Sequence, residues 1–399
     1  MDIELTLGKA GPLEPSDEQT HAPSRAADAG SGQVSFSLER LDSALLEAMW
    51  RDLEPRADIT FYLSWHWIGT WLELGGPPEL VLIGRADGQV VCLGLLRKSV
   101  QRRSLIVRSR MLHLHQSGIP AEDVICIEYN GFLCDRRFPR LGAEAIAYLR
   151  RSPAIGRFDE LQIGGATEEF FEEVRSLGCK VHVFSRKSTA FVDLRSIRES
   201  GNDYLASLSA NTRYQIKRAV KIYESRGALS LQPARTASEA LQFLDELGVL
   251  HEETWRRRGG GGGAWRFPFL VAFHRRLIEK AFASGGIDIV KISCGDRPIG
   301  YIHCLVQKGW IGSYLSGFAY EDDNKVKPGL VSFYLYAQHR LNVGGDIFDF
   351  LAGDHRYKTS LGQAGPLIYT FRVQERRVQL MIEQGLRYAK HRIEALRKP

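Results

Sequence analysis

The segment DFLAGDHRYKTSLGQ, residues 349–363, brings two carboxylates, an imidazole, a phenol and an amine together between Asp349 and Lys358. Asp349 stands inside the apolar run 347–351, where an ionised carboxylate is costly unless it is paired or meets a pocket. Lys358, Arg356 or basic helices elsewhere are its candidate partners, and a turn at Gly353 would fold residues 355–358 back over the strand end. Two readings follow. The stretch is a structural ion pair, or Asp349 is a base that takes a proton while Lys358 or Tyr357 steadies a developing oxyanion.

Three further constellations carry chemistry. In residues 313–341 a strand-like run containing Tyr314 leads through a polar loop to Pro328 and Gly329, where an apolar-periodic helix begins. Proline suits a first helical turn, and the N–H groups of Gly329, Leu330 and Val331, with Ser332 behind them, would point out at the positive end of the helix. Lys325 and Lys327 precede it, so this is an anion site or an ordinary cap with two solvated lysines. His251, Trp255 and Arg258 share one helical face ahead of the five glycines 259–263, which read as a mobile hinge. His251 is a second candidate base or a structural histidine, and Trp255, Arg258 and Tyr314 are candidate substrate contacts. Arg213, Lys217 and Lys221 recur at i+4 beside Tyr214 and Arg218, a stripe suited to phosphates or RNA and equally to a solvated face.

Familiar sites are missing: G-x-S-x-G, G-x-x-x-x-G-K-[ST] and H-E-x-x-H do not occur. The glycine run formally matches G-x-G-x-x-A but follows a helix where a dinucleotide fingerprint needs a strand. His113 and His115 share a strand face with no third ligand nearby, so no metal is expected.

These residues need a scaffold. A chain of 399 residues with 44% hydrophobic and 25% charged residues has room for two or three domains. The net charge of +6 is too small to demand a polyanionic partner. Six cysteines without a C-x-x-C pair, mostly in apolar runs, read as buried reduced thiols. No run is long enough to span a bilayer and the acidic, proline-broken N-terminus has no secretory pattern, so a cytoplasmic protein is expected.

Residues 1–33 read as a disordered tail. Helices are expected at 38–50, 64–74, 137–152 and 167–177, and a hairpin at 79–98 turning on Asp87-Gly88. Strands are expected at 104–108, 111–115, 124–133, 158–163 and 180–193. A second cycle follows: helices 210–226, 237–256, 267–283 and 329–342, with strands 228–232, 286–293, 298–307, 310–318, 346–351 and 367–373. Successive strands followed by a crossover helix and another strand imply an α/β (α+β) fold with mixed, mostly antiparallel sheets. A duplicated unit fits this order, although no repeat is visible at the level of residues.

The order YLASLSANTRYQIKRAVKIYESRG, LHEETWRRRG, PIGYIHCLVQKGWIGSYLSGFAYE, KPGLVSF and FDFLAGDHRYKTSLG, between Tyr204 and Gly362, resembles the CelD/BcsL (BioF2-like) family of GNAT-fold acyltransferases, related to the FemABX peptidyltransferases. SWHWIGTWLEL and the 79–98 hairpin look like that family's N-terminal start. The resemblance implies two tandem GNAT-like domains, here 34–193 and 194–375, ahead of a basic C-terminal helix 376–399. It implies transfer of an acyl group, with acetyl the first expectation, from acetyl-CoA or another acyl-CoA to an amine or hydroxyl of a small-molecule, sugar or envelope-precursor acceptor. The CoA pyrophosphate would sit on the helix start at Lys327 to Ser332, and Lys358 resembles a transfer-site lysine of Fem-type relatives, with Leu361 where an aromatic is common. The GNAT pyrophosphate loop pattern is absent. The alternative that the resemblance carries is a Fem-like transferase whose donor is an aminoacyl-tRNA, with Arg213 and Lys217 against RNA phosphates.

Overall fold

The computed structural model describes residues 33–102, 108–259, 263–375 and 377. The first half runs β1 (Ser35–Glu39), α1 (Ser43–Leu53), α2 (Trp65–Gly75), β2 (Leu80–Ala86), β3 (Gln89–Arg102), β4 (Arg108–Leu114), the short β5 (Leu133–Cys134), α3 (Leu141–Arg151), β6 (Glu160–Thr167), α4 (Glu168–Ser176) and β7 (Lys180–Asp193). The second runs α5 (Leu194–Glu199), α6 (Tyr204–Ser207), α7 (Ala210–Glu224), β8 (Leu229–Pro233), α8 (Ala237–Arg257), α9 (Pro268–Ala281), β9 (Ile287–Cys294), β10 (Arg297–Gln307), β11 (Trp310–Phe318), α10 (Pro328–Val343), β12 (Ile347–Asp349), α11 (Arg356–Leu361) and β13 (Gln363–Gln374).

Local chemistry sets many of the helix starts. Asp42, Ser64, Thr167, Ser209 and Thr236 each accept a hydrogen bond from an amide of the first turn, opening α1, α2, α4, α7 and α8. The helix expected from residue 38 starts only at Ser43, because residues 35–39 pair along β2 as an edge strand.

All the main strands join one mixed sheet in the order β1-β2-β3-β4-β6-β13-β7-β12-β11-β10-β9-β8. The duplication that the residues hide is plain here. A strand, two helices, three antiparallel strands, a crossover helix, a strand parallel to the third, a short helix and a last strand occur once in each half, and the order reads alike from either edge. The halves exchange their final strands: β7 pairs with β12, and β13 lies between β6 and β7. The expected division at 193/194 separates the two copies of the element order, while each copy's last strand lies in the other copy's part of the sheet.

One core is shared by both halves, joining Trp50, Trp67 and Leu93 to Phe273, Ile289 and Tyr314. The other sheet faces are covered separately, by α3 and α4 in the first half and by α7 and α10 in the second.

The copies differ between their third strand and crossover helix. That connection is 319–327 in the second half and 115–140 in the first. Part of the longer one contains the expected strand 124–133, which does not form. Only Leu133–Cys134 pairs with β3, and Cys126 and Tyr129 adopt left-handed backbone, φ 40° and 51°, which breaks an extended run. The strand expected at 346–351 likewise stops at Asp349, because Leu351 has φ 62°. The strand expected at 104–108 falls largely outside the described residues. So do the tail 1–32, glycines 260–262 of the expected hinge, and all but Arg377 of the expected C-terminal helix.

Candidate active site

The first-half connection crosses to the second half and is fastened there. The Tyr314 hydroxyl donates to the Ile125 carbonyl, the Tyr129 hydroxyl donates to Asp349 Oδ2, and the Ala352 N–H donates to Glu128 Oε2 at 2.8 Å. Asp349 is 3% exposed. Its Oδ2 also accepts from Trp310 Nε1 at 3.1 Å, and its Oδ1 from the Leu351 N–H at 2.7 Å. Burial raises the Asp349 carboxyl above its ordinary range while these donors and the Lys358 charge pull it down.

Lys358 lies in α11, behind the turn through Gly353. Its buried ammonium donates to the carbonyls of Leu351 at 3.1 Å and Ala352 at 2.8 Å, tying the 350–353 turn to the helix. Glu128, 6% exposed, feels the same ammonium. Burial pushes its carboxyl up to about 7, with the Asp349 charge adding to the rise and the Ala352 amide, Lys358 and Lys187 opposing it. Two buried carboxyls thus share the field of one buried amine.

Two cavities flank this cluster. The first, about 430 Å³, lies over the start of α10 and is lined by Lys327, Gly329 and Leu330 on one side and by His251, Trp255 and Tyr357 among others. The helix opens with Pro328, has no side-chain cap, and ends its first turn with Val331 N–H on the Lys327 carbonyl. The Tyr357 ring stacks on Phe333 with centroids 5.4 Å apart, forming part of the floor. The second cavity, about 530 Å³, lies on the other side of the 352–355 turn and is lined by Glu128 and Asp123 from the crossing segment, Lys187 of β7, and Thr370 of β13. Trp255, Arg258 and His355 line both. These three side chains therefore stand between the two cavities.

The equivalent place in the first half is filled. Gly142 stands at the second position of α3 as Gly329 does in α10, and a Cβ there would meet the Phe170 ring at 2.8 Å, with Phe132 packed edge-on against Phe170.

The expected site residues divide accordingly. His251, Trp255, Arg258, Lys327, Gly329 and Leu330 surround the first cavity, with Tyr357. Both His251 ring nitrogens face backbone partners, Nδ1 at 3.1 Å from the Ser316 carbonyl and Nε2 accepting the Ala264 N–H at 3.3 Å. Val331 is a core residue, and Ser332 is buried toward β10, where a Cβ on Gly300 would meet its hydroxyl at 2.7 Å. Lys325 is absent from both linings, its N–H bonded to Asp323. Arg213 is turned back onto the carbonyls of Ala206 and Leu208, and it and Lys217 line neither cavity. Tyr314 is fully buried behind the site. Glu128, Tyr129 and Lys187 were not anticipated, because the run VICIEYNGF and the run 180–193 both read as strands whose polar residues need no further role. The Glu-Tyr pair within the first is the one signal that was open to reading.

Removing the shared cation tests the cluster. Lys358→Met is expected to destabilise the protein by about 3 kcal/mol, since two carbonyls lose a donor and two buried carboxyls lose their counter-charge. The acid limb of the activity profile should move to higher pH. Thermal unfolding together with a pH–rate profile checks both, and a variant as stable as wild type with an unmoved profile would refute the arrangement.

Residues 210–359 match the family model described as the acetyltransferase (GNAT) domain. The chain carries a GNAT-fold domain. That match spans α7 to α11 and contains the first cavity's α10 wall, while Glu128 and Lys187 lie outside it. Among solved structures, FemX is similar at 11% identity with a TM-score of 0.54, covering 85% of this chain and 97% of that one. L-PGS from Bacillus licheniformis is similar at 11% identity and a TM-score of 0.49, covering 88% of this chain and 97% of that one. A tandem GNAT protein from the clavulanic acid biosynthesis pathway is similar at 12% identity and 0.42, covering 86% and 98%. At these identities the likeness is one of fold. No curated protein matches the chain. No helix among the described residues is long and apolar enough to cross a membrane, and no three metal-binding side chains gather among them.

Proposed function

We propose that this GNAT-family acyltransferase moves an acyl group from an acyl-CoA in the first cavity to an amine or hydroxyl in the second. The observation that carries the reading is that two cavities share Trp255, Arg258 and His355 as lining, with the buried Glu128 carboxyl, raised by its burial, at the wall of the second. The uncapped start of α10, with Lys327 at its mouth, suits the donor's phosphates. The acceptor nitrogen or oxygen attacks the thioester carbonyl, Glu128 takes its proton, the C–S bond breaks, and the thiolate leaves and is protonated. Tyr357, which lines the donor cavity, donates to the oxyanion. Asp349 and Lys358 act through the turn and the crossing segment that hold Glu128. Kinship with the CelD/BcsL acyltransferases is part of the proposal and rests on the order of motifs from Tyr204 to Gly362.

Thermal-shift measurements with acetyl-CoA, longer acyl-CoAs and aminoacyl-tRNA test the donor. A shift with an acyl-CoA that Lys327→Glu abolishes is the expected result, and no shift with any thioester would sink the proposal. A shift with the tRNA alone, falling steeply with salt as phosphate contacts release counterions, would select the Fem-like donor instead.

A further inference from the structure

The second cavity carries its charges in an arrangement that acyl transfer alone does not require. Glu128 and Asp354 stand on the side of the 352–355 turn, and Lys187 and Arg258 also line the space. Asp123 is spent within its own loop, accepting from the Ser117 and Gly118 amides at 2.8 and 2.9 Å and from the Ser117 hydroxyl at 3.0 Å. Asp354 is steadied by the Ser188 hydroxyl at 3.0 Å. Ser185 and Lys187 are two apart on β7 and so face the cavity together, beside Ile368 and Thr370 of the paired β13. Among the described residues Lys187 makes no salt bridge within 4.0 Å, although its charge reaches Glu128.

We infer that this cavity selects a zwitterionic acceptor, an amine that also bears an anionic oxygen group, with the amine directed at Glu128 and the anion held by Lys187. The inference rests on the acyl-transfer reading. An amine alone would find a carboxyl, but it would bring no anionic group to the Lys187 ammonium at the cavity wall. An acceptor with a carboxylate or phosphate completes that charge and gains a charge-assisted hydrogen bond. The ammonium of the acceptor gives up one proton to bulk and the neutral amine gives up the second to Glu128 as the amide bond forms, so the anionic group takes no part in the chemistry. It fixes orientation, which is how a few polar groups in a cavity of this size confer specificity. The shared chemistry is anionic oxygen, from either source.

Two matched pairs separate those sources: glucosamine with glucosamine 6-phosphate, and cadaverine with lysine. Binding of each to the full-length protein is measured by calorimetry, and acylation by thiol release from acetyl-CoA. In at least one pair the member that bears the phosphate or carboxylate is expected to bind about tenfold or more tightly than the partner that lacks it. Lys187→Met should bring that preference to within about twofold while acetyl-CoA binding stays as in wild type. Preference for the phosphate pair or the carboxylate pair names the source. Equal binding within both pairs, no binding by either anionic member, or a preference that survives Lys187→Met would overturn the inference. Acetyl-CoA binding and its slow hydrolysis without acceptor report on the acyl-transfer reading separately, so the two can fail independently.

Discussion

Glu128→Gln is expected to lower kcat by about 10²- to 10⁴-fold, the range a positioned general base supplies, while acyl-CoA affinity and the fold remain. The amide keeps the volume of the carboxyl and the acceptor for the Ala352 N–H, so the turn at 350–353 should hold. The wild-type profile should rise with pH through about 7, where Glu128 loses its proton, and level off above it. The variant should lack that limb. A second readout separates a base from a merely buried carboxyl. Because the folded protein holds this proton more tightly than the unfolded chain, Glu128 stabilises the fold most fully below its ordinary value of 4.5, and that contribution is lost as pH rises to about 7. The rise from 4.5 to about 7, at about 1.4 kcal/mol per pH unit, is on the order of 3 kcal/mol. Glu128→Gln should therefore gain stability over wild type by that order between pH 4.5 and 8, measured by denaturant unfolding. Loss of activity without either pH signature would assign Glu128 a structural role, and full activity would remove it from the mechanism.

The polar stretch at 349–358 was legible as a candidate site because its residue types are expensive inside an apolar run. What could not be read was which of them meets the substrate. Asp349 and Lys358 are both turned inward, and the half-exposed His355 between them lines both cavities. The helix start at Pro328 was equally plain, since a proline after a polar loop and before an apolar period has few other uses. The strands and helices of the second half followed from period and turn residues. The second cavity did not, because it is built by contacts distant in sequence. Glu128 reaches Ala352 and Tyr129 reaches Asp349 only because the segment between β4 and α3 departs from strand geometry at Cys126 and Tyr129. Nor could alternation along β7 and β13 reveal that these strands change places in the sheet, for period fixes the faces of a strand and not its neighbours. The basic stripe of α7 shows a related limit: spacing gives Arg213 and Lys217 a common face, but whether that face meets a cavity depends on packing.

Asp349 is one of the points that tie the two halves together, and its loss should be the largest structural effect at the site. Asp349→Ala leaves the Tyr129 hydroxyl, the Trp310 indole N–H and the Leu351 amide without their acceptor in a buried place, and each unmet donor costs about 1–3 kcal/mol. Leu351, held at φ 62°, loses the bond that keeps it there. A destabilisation of roughly 4–6 kcal/mol is expected. Asp349→Asn retains one acceptor oxygen and the shape, so it should fold, with lowered kcat and an acyl-CoA affinity near wild type, because the crossing segment that carries Glu128 is loosened while the α10 side is untouched. Tyr129→Phe keeps the ring against Trp310, their centroids 6.1 Å apart, and removes only the hydroxyl. It should reproduce the kcat loss of Asp349→Asn in part, and the two changes combined should cost less than the sum of each alone, since they break the same bond. Measured kcat, acyl-CoA binding and unfolding midpoints decide the matter. If Asp349→Asn weakens donor binding as much as turnover, or if the two substitutions add in full, Asp349 does not act through Tyr129 and the crossing segment.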